Sequence, residues 1–108
     1  MSDVPVKRAF RIWLKPGAVE EYQRRHDALW PELAALLHDA GVSDYSIYLD
    51  KDGHSLFAVL LEARPGVNEA LAAHPIMLHW WAEMAGLMDT ESNGRPSTWP
   101  LTPVFHMD

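Results

Sequence analysis

The chain has 108 residues, 48% of them apolar, and a formal charge of −6 with its histidines neutral, which suits one compact domain around one core and is too short for two. Its nine Lys and Arg are scattered in singles and pairs such as Arg24-Arg25, so no basic footprint for nucleic acid or an anionic membrane is present. The absence of cysteine excludes a disulfide framework, a thiolate metal site and a cysteine nucleophile together.

Residues 7–14 alternate with period two, Phe10, Ile12 and Leu14 facing one way and Ala9, Arg11 and Trp13 the other, which predicts a strand stopped by Lys15-Pro16-Gly17. A helical pattern begins near Ala18. Glu20 and Glu21 occupy its first turn, where the helix dipole favours negative charge, and Arg24 and Arg25 follow four residues on for exposed pairs. Tyr22, His26, Trp30 and Leu33 recur at the spacing of one helix face. Pro31 removes a backbone donor, so a kink or restart is expected near Trp30, with a second half over residues 31–40 carrying Leu33, Leu36 and Leu37 to the core and ended by Gly41.

Period two returns over residues 42–50, with Tyr45, Ile47 and Leu49 on one face and Ser46, Tyr48 and Asp50 on the other. Asp50-Lys51-Asp52-Gly53 carries the Asp-Gly hairpin signature and residues 55–61 are an apolar run of strand length, so these two strands should pair antiparallel. Arg64-Pro65-Gly66 ends the third strand. A short helix is expected over 67–73, divided by His74-Pro75 from a longer one over 76–88 whose broad apolar face holds Met77, Trp80, Trp81, Met84 and Leu87 or Met88. Residues 89–97 read as a polar loop and residues 101–107 as a last strand with an irregular entrance at Trp99-Pro100 and Pro103.

The order β, α, β, β, α, β is the ferredoxin-like plan of an α+β domain, an antiparallel sheet with helices on one face. Both faces of its strands are substantially apolar, so pairing of two sheets in a homodimer is the natural way to cover the second face. No run approaches the roughly 18 apolar residues of a membrane span. The opening Met-Ser-Asp-Val-Pro-Val-Lys lacks a signal pattern, and a soluble cytoplasmic protein of one domain over residues 1–108 is expected.

Three groups of residues carry candidate chemistry. Tyr22 and His26, one helical turn apart, can both handle protons, and imidazole, whose ordinary pKa is about 6.5, is the side chain best matched to proton transfer near neutrality. Pattern alone equally describes a core-edge stripe whose polar tips find hydrogen bonds, and favours it. Trp80 and Trp81 are neighbours on a helix, about 100 degrees apart, so at least one lines a wall or interface; taken alone, they favour plain packing. His38, His54, His74, His79 and His106 form no His-Glu-x-x-His, and no metal site is expected. The sequence also lacks Gly-x-Gly-x-x-Gly, a Walker loop and Gly-x-Ser-x-Gly. Tyr45, on the Ile47 and Leu49 face, either meets a polar group in the core or opens into a pocket.

Glu20-Glu21-Tyr22-Gln23-Arg24-Arg25-His26, Trp30-Pro31-Glu32-Leu33, Tyr45-Ser46-Ile47-Tyr48-Leu49-Asp50, Trp80-Trp81 and the closing Val104-Phe105-His106 together resemble the L-rhamnose mutarotase family, from about Lys7 to the C-terminus. The resemblance implies a cytoplasmic, cofactor-free isomerase that interconverts the α and β anomers of L-rhamnose, folded as a dimeric α+β barrel of ferredoxin-like protomers. By the same match His26 would be the catalytic proton donor, and Tyr22, Tyr45, Trp80 and Trp81 would contact the sugar. The chain departs from the family pattern at Asp27-Ala28, where Asn-Pro is usual, and over residues 95–103. A cofactor-independent monooxygenase on the same barrel and a non-catalytic sugar-binding or dimerisation module remain the alternatives.

Overall fold

The computed structural model describes residues 4–108. Its elements are β1 (Val6–Trp13), α1 (Val19–Asp27), α2 (Pro31–Ala40), β2 (Val42–Leu49), β3 (Ser55–Glu62), α3 (Val67–Leu71), α4 (Pro75–Met84) with a 3-10 turn over Ala85–Leu87, and β4 (Trp99–Pro100). The four strands form one antiparallel sheet in the order β2-β3-β1-β4, and β1 lies beside β3 in a continuous eight-residue register from Val6↔Glu62 to Trp13↔Ser55. This is the ferredoxin-like order, and it follows from two βα crossovers interleaved around a hairpin.

The helices cover the sheet face that carries Ile12, Leu14, Leu56, Ala58 and Leu60. There Leu33, Met77, Trp80 and Met84 close the main core, while Val42, Leu60, Val67 and Leu71 form a second cluster at one end of the sheet. Burying each such side chain contributes about 1.5–3 kcal/mol, so this face carries most of the apolar driving force. Glu62 is fully buried at the end of β3, where its carboxylate pairs with the half-exposed Arg8 guanidinium.

The predicted hairpin is present, and its turn is closed by a side chain. The Asp52 carboxylate accepts from the His54 N–H at 2.8 Å and from the Ser55 N–H at 3.1 Å, and these bonds hold its pKa below the ordinary value. In β2 the pairing shifts by one residue between Ser43 and Ser46, and Asp44 within the shift has φ 48°. An extra residue inverts the in-and-out parity of a strand, so Val42 and Ile47, five apart, both reach the core side.

The restart expected near Trp30 is present, with α2 over Pro31–Ala40 ended by Gly41, and two boundaries further on differ from the sequence expectation. The apolar stripe over Tyr22, His26, Trp30 and Leu33 is split between two helices. Residues 28–30 leave the helix, Trp30 becomes the residue before the first turn of α2, and Pro31 takes the first helical position, where its missing N–H costs nothing. The last long helix stops at Met84 and tightens over Ala85–Leu87, after which Met88 is extended, buried and bridged to Leu14. The last strand is the two residues Trp99–Pro100 rather than 101–107. Pro100 and Pro103 have no N–H to donate, so after the Leu101 N–H bonds the Ala9 carbonyl at 2.9 Å the pairing ends and residues 101–108 run exposed without regular structure.

Among the described residues no helix covers the other sheet face, which carries Ala9, Arg11, Trp13, Phe57, Val59 and Leu61 with Tyr48 and Trp99. The Arg11 guanidinium lies over the Trp13 and Phe57 rings at 5.2 and 5.0 Å, and its buried Nε–H finds no acceptor among the described residues.

Candidate active site

An open cavity of about 1590 Å³ has a lining that runs from the helix-covered sheet face and the helices round to Lys7, Ala9 and Leu61 of the other face, and Tyr22, His26, Tyr45, Trp80 and Trp81 all line it. Three elements deliver these five side chains: α1 supplies Tyr22 and His26, β2 supplies Tyr45, and α4 supplies the two indoles. The volume exceeds the 300–1,000 Å³ of a typical small-ligand pocket, the extra space opening where the exposed tail, including Phe105 and His106, runs past the mouth.

The i, i+4 spacing on α1 stacks the Tyr22 and His26 rings at 4.3 Å and 23°. Trp80, on a different helix, meets the His26 ring edge-on at 5.4 Å and is itself met edge-on by Trp30 at 5.1 Å. The imidazole is thereby fixed between a phenol face and an indole. Its Nδ1 lies 3.0 Å from the Tyr22 carbonyl oxygen, and a carbonyl can only accept, so Nδ1 carries the proton and Nε2 holds the lone pair of the neutral ring.

Burial lowers the His26 pKa from its ordinary 6.5; the bond to the Tyr22 carbonyl and the neighbouring Asp27 carboxylate oppose this and are outweighed. Asp27 is exposed, so its charge is weakened by water. The imidazole is therefore neutral at pH 7. Tyr22 is buried and its pKa lies well above the ordinary phenol value, because burial disfavours the phenolate and the nearby Tyr45 adds to it. Tyr45 is 42% exposed as a residue, yet desolvation still pushes its hydroxyl up to about 12. Both phenols keep their protons at neutral pH and serve the cavity as hydrogen-bond donors.

The two tryptophans are held by different means. Trp80 is buried against rings, whereas half-buried Trp81 has the Arg95 guanidinium over its face at 5.7 Å, and the same guanidinium bonds Glu69 on α3 at 3.3 Å. Sequence reasoning missed Arg95, since a lone arginine in a polar loop carries no periodic signal. Among the described residues, no group of three or more His, Asp or Glu gathers into a metal-binding set.

A ferredoxin-like sheet under helices, with a cavity that gathers indoles, two protonated phenols and the neutral His26 imidazole, defines a small α+β protein with an aromatic-walled pocket. Among solved structures, the chain superposes with a TM-score of 0.87 on the crystal structure of an L-rhamnose mutarotase from Formosa agariphila, at 39% identity over 95% of this chain and 99% of that one. The Mycobacterium tuberculosis protein Rv0793 matches at a TM-score of 0.63 and 18% identity over 97% of this chain and 100% of that one, which shows shared fold alone. The family model described as L-rhamnose mutarotase matches residues 7–107. L-rhamnose mutarotases of Verminephrobacter eiseniae and of a Jannaschia species are 57% and 52% identical, over 94% of this chain and 96% and 97% of theirs. The chain belongs to the L-rhamnose mutarotase family.

Proposed function

We propose that the protein interconverts the α and β anomers of L-rhamnose, with His26 as the catalytic group and Tyr22, Tyr45, Trp80 and Trp81 holding the sugar. The observation that carries the catalytic assignment is the commitment of His26 Nδ1 to the Tyr22 carbonyl, which leaves Nε2 as the one nitrogen through which protons enter and leave. Ring opening requires the anomeric hydroxyl to lose a proton and the ring oxygen to gain one. Neutral Nε2 takes the O1 proton as C1–O1 becomes a carbonyl and the C1–O5 bond breaks, and the imidazolium then gives that proton to O5. The aldehyde rotates about C1–C2. In closure Nε2 takes the O5 proton as O5 adds to the other face of C1, and returns it to O1. Atoms and charge balance within the sugar and one imidazole, and the donor role expected for His26 is the second half of this exchange. The Tyr22 and Tyr45 hydroxyls donate hydrogen bonds to sugar oxygens throughout.

L-rhamnose carries a methyl group at C6, and an indole wall covering it gains about 0.8 kcal/mol per buried carbon. Rejection of a sugar with a hydroxyl there is weak, because an apolar pocket excludes an added hydroxyl poorly. The test is saturation transfer between the anomeric protons of L-rhamnose. The protein is expected to speed exchange above the buffer rate, His26→Ala to abolish most of the increase, about 10²-fold or more, and Tyr22→Phe to weaken it less. No acceleration by the unsubstituted protein refutes the activity; acceleration by His26→Ala equal to it refutes the catalytic role.

A homodimer is part of the proposal, supported by the apolar sheet face opposite the helices and by the buried Arg11 Nε–H, which has no acceptor among the described residues. Action in the cytoplasm by a single domain spanning residues 1–108, with no cofactor, is proposed on the family's pattern. No helix among the described residues is long and apolar enough to cross a membrane.

A further inference from the structure

The loop after α4 is a small closed unit. Asp89 N–H bonds the Trp13 carbonyl at 3.0 Å, Ser97 N–H returns to the Asp89 carbonyl at 3.0 Å, and inside them Glu91 N–H bonds the Arg95 carbonyl at 2.8 Å, with Thr90 bridged to Pro96. The Arg95 N–H is also held, by the Asn93 side-chain oxygen at 3.0 Å. The backbone of Arg95 is therefore anchored on both sides, and its side chain lines the cavity from a fixed base. Its guanidinium touches a ring on one element and a carboxylate on another: Trp81 on α4 at 5.7 Å and Glu69 on α3 at 3.3 Å. Arg95, Trp81 and Glu69 all line the cavity.

We infer that Arg95 is a positioning residue for the sugar, setting the Trp81 indole as a fixed wall of the cavity through a cation–π contact that Glu69 orients. The contrast with Trp80 is the reason. Trp80 is locked by His26 and Trp30 whatever the loop does, whereas Trp81, turned about 100 degrees around α4, has as its ring partner this cation. A guanidinium over an indole within about 6 Å is attracted by the ring's quadrupole, and its planar fork leaves an N–H donor free for the carboxylate that orients it. Because the Arg95 side chain pairs with Trp81 and Glu69, neither of which has a proton-transfer role in the proposed mechanism, it acts on binding and leaves the chemical step alone.

The inference rests on the proposed sugar site, so the experiment reads binding as well as turnover. Saturation-transfer exchange gives kcat and KM for L-rhamnose, and calorimetric titration gives Kd, in the unsubstituted protein, Arg95→Ala, Arg95→Lys and Glu69→Gln. Arg95→Ala is expected to raise KM and Kd about two- to fivefold with kcat and the pH profile unchanged. Arg95→Lys, which keeps the charge and loses the planar stack, should recover part of the loss, and Glu69→Gln should lose less than Arg95→Ala. An Arg95→Ala protein of unchanged melting temperature with unaltered KM and Kd overturns the inference, as does a fall in kcat at constant KM. If the unsubstituted protein binds L-rhamnose without accelerating exchange, the catalytic reading fails while the Kd series still decides the role of Arg95. If it does neither, both fall.

Discussion

At the scale of single residues, the site turns on which protonation states burial enforces. His26 is kept neutral and both phenols are kept protonated. In the proposed mechanism the neutral imidazole accepts the first proton, so activity is expected to stand on a plateau at and above neutrality and to fall on acidification as His26 protonates. With the His26 pKa lowered from 6.5, the midpoint of that acid limb should lie below 6.5 in kcat/KM measured by exchange NMR after subtraction of the buffer rate. A midpoint above 6.5 contradicts the assignment. The pairing of Tyr22 with His26 is legible from spacing alone, as is the adjacency of two indoles. The protonation states are not, because they depend on what Trp80 and β2 bring from elsewhere in the chain. Glu62 and Arg95 are invisible for the same reason: a charge at the end of an apolar run and a cation in a loop acquire their meaning only from partners distant in sequence.

At the scale of elements, two local departures place the site. The break over residues 28–30 ends α1 just after His26 and lets α2 start afresh on Pro31, so Trp30 can turn to Trp80. The bulge in β2 keeps Val42, Ile47 and the cavity-lining Tyr45 with the helix side, and it depends on Asp44 holding φ 48°. Asp tolerates the left-handed region better than most residues, whereas a β-branched side chain does not. Asp44→Val is expected to lower stability in urea by about 1–2 kcal/mol and to weaken L-rhamnose binding by displacing Tyr45, while Asp44→Gly should match or slightly exceed the unsubstituted protein. Equal urea midpoints for Asp44→Val and Asp44→Gly count against this account. Alternation in the sequence identifies the strand and the faces of Tyr45, Ile47 and Leu49 correctly. It gives no sign of the bulge, since one inserted residue leaves each half of the pattern intact. The expected last strand falls too late in the chain because Val104-Phe105-His106 alternates, and alternation counts for less than Pro103, which has no N–H to donate just after β4 ends.

At the scale of the whole molecule, one face of the sheet is finished and the other is not. Tyr48 is 62% exposed and Phe105 80%, and both belong to surfaces that a single chain leaves to water. A second copy covering the helix-free face would bury Trp13, Phe57 and Val59 and offer Arg11 an acceptor. Sedimentation equilibrium is expected to give twice the chain mass, and Tyr48→Asp, which is exposed in the single chain and so spares its folding, should shift the equilibrium toward the single-chain mass. A monomer at micromolar concentration in the unsubstituted protein would refute the dimer. Element order and the two-faced apolar strands make this surface readable in advance, whereas the run of the tail past the cavity mouth is not, being decided by where pairing with β1 stops.

The contact between His26 Nδ1 and the Tyr22 carbonyl has a consequence for inheritance and for engineering. In many catalytic histidines the orienting group is a carboxylate, and one codon change removes it. Here it is main chain, identical for every amino acid at position 22, so no side-chain substitution deletes the acceptor. The tautomer is written in the winding of α1 and is shielded from point mutation, and the route to a different proton path in this scaffold lies through unwinding a turn of helix.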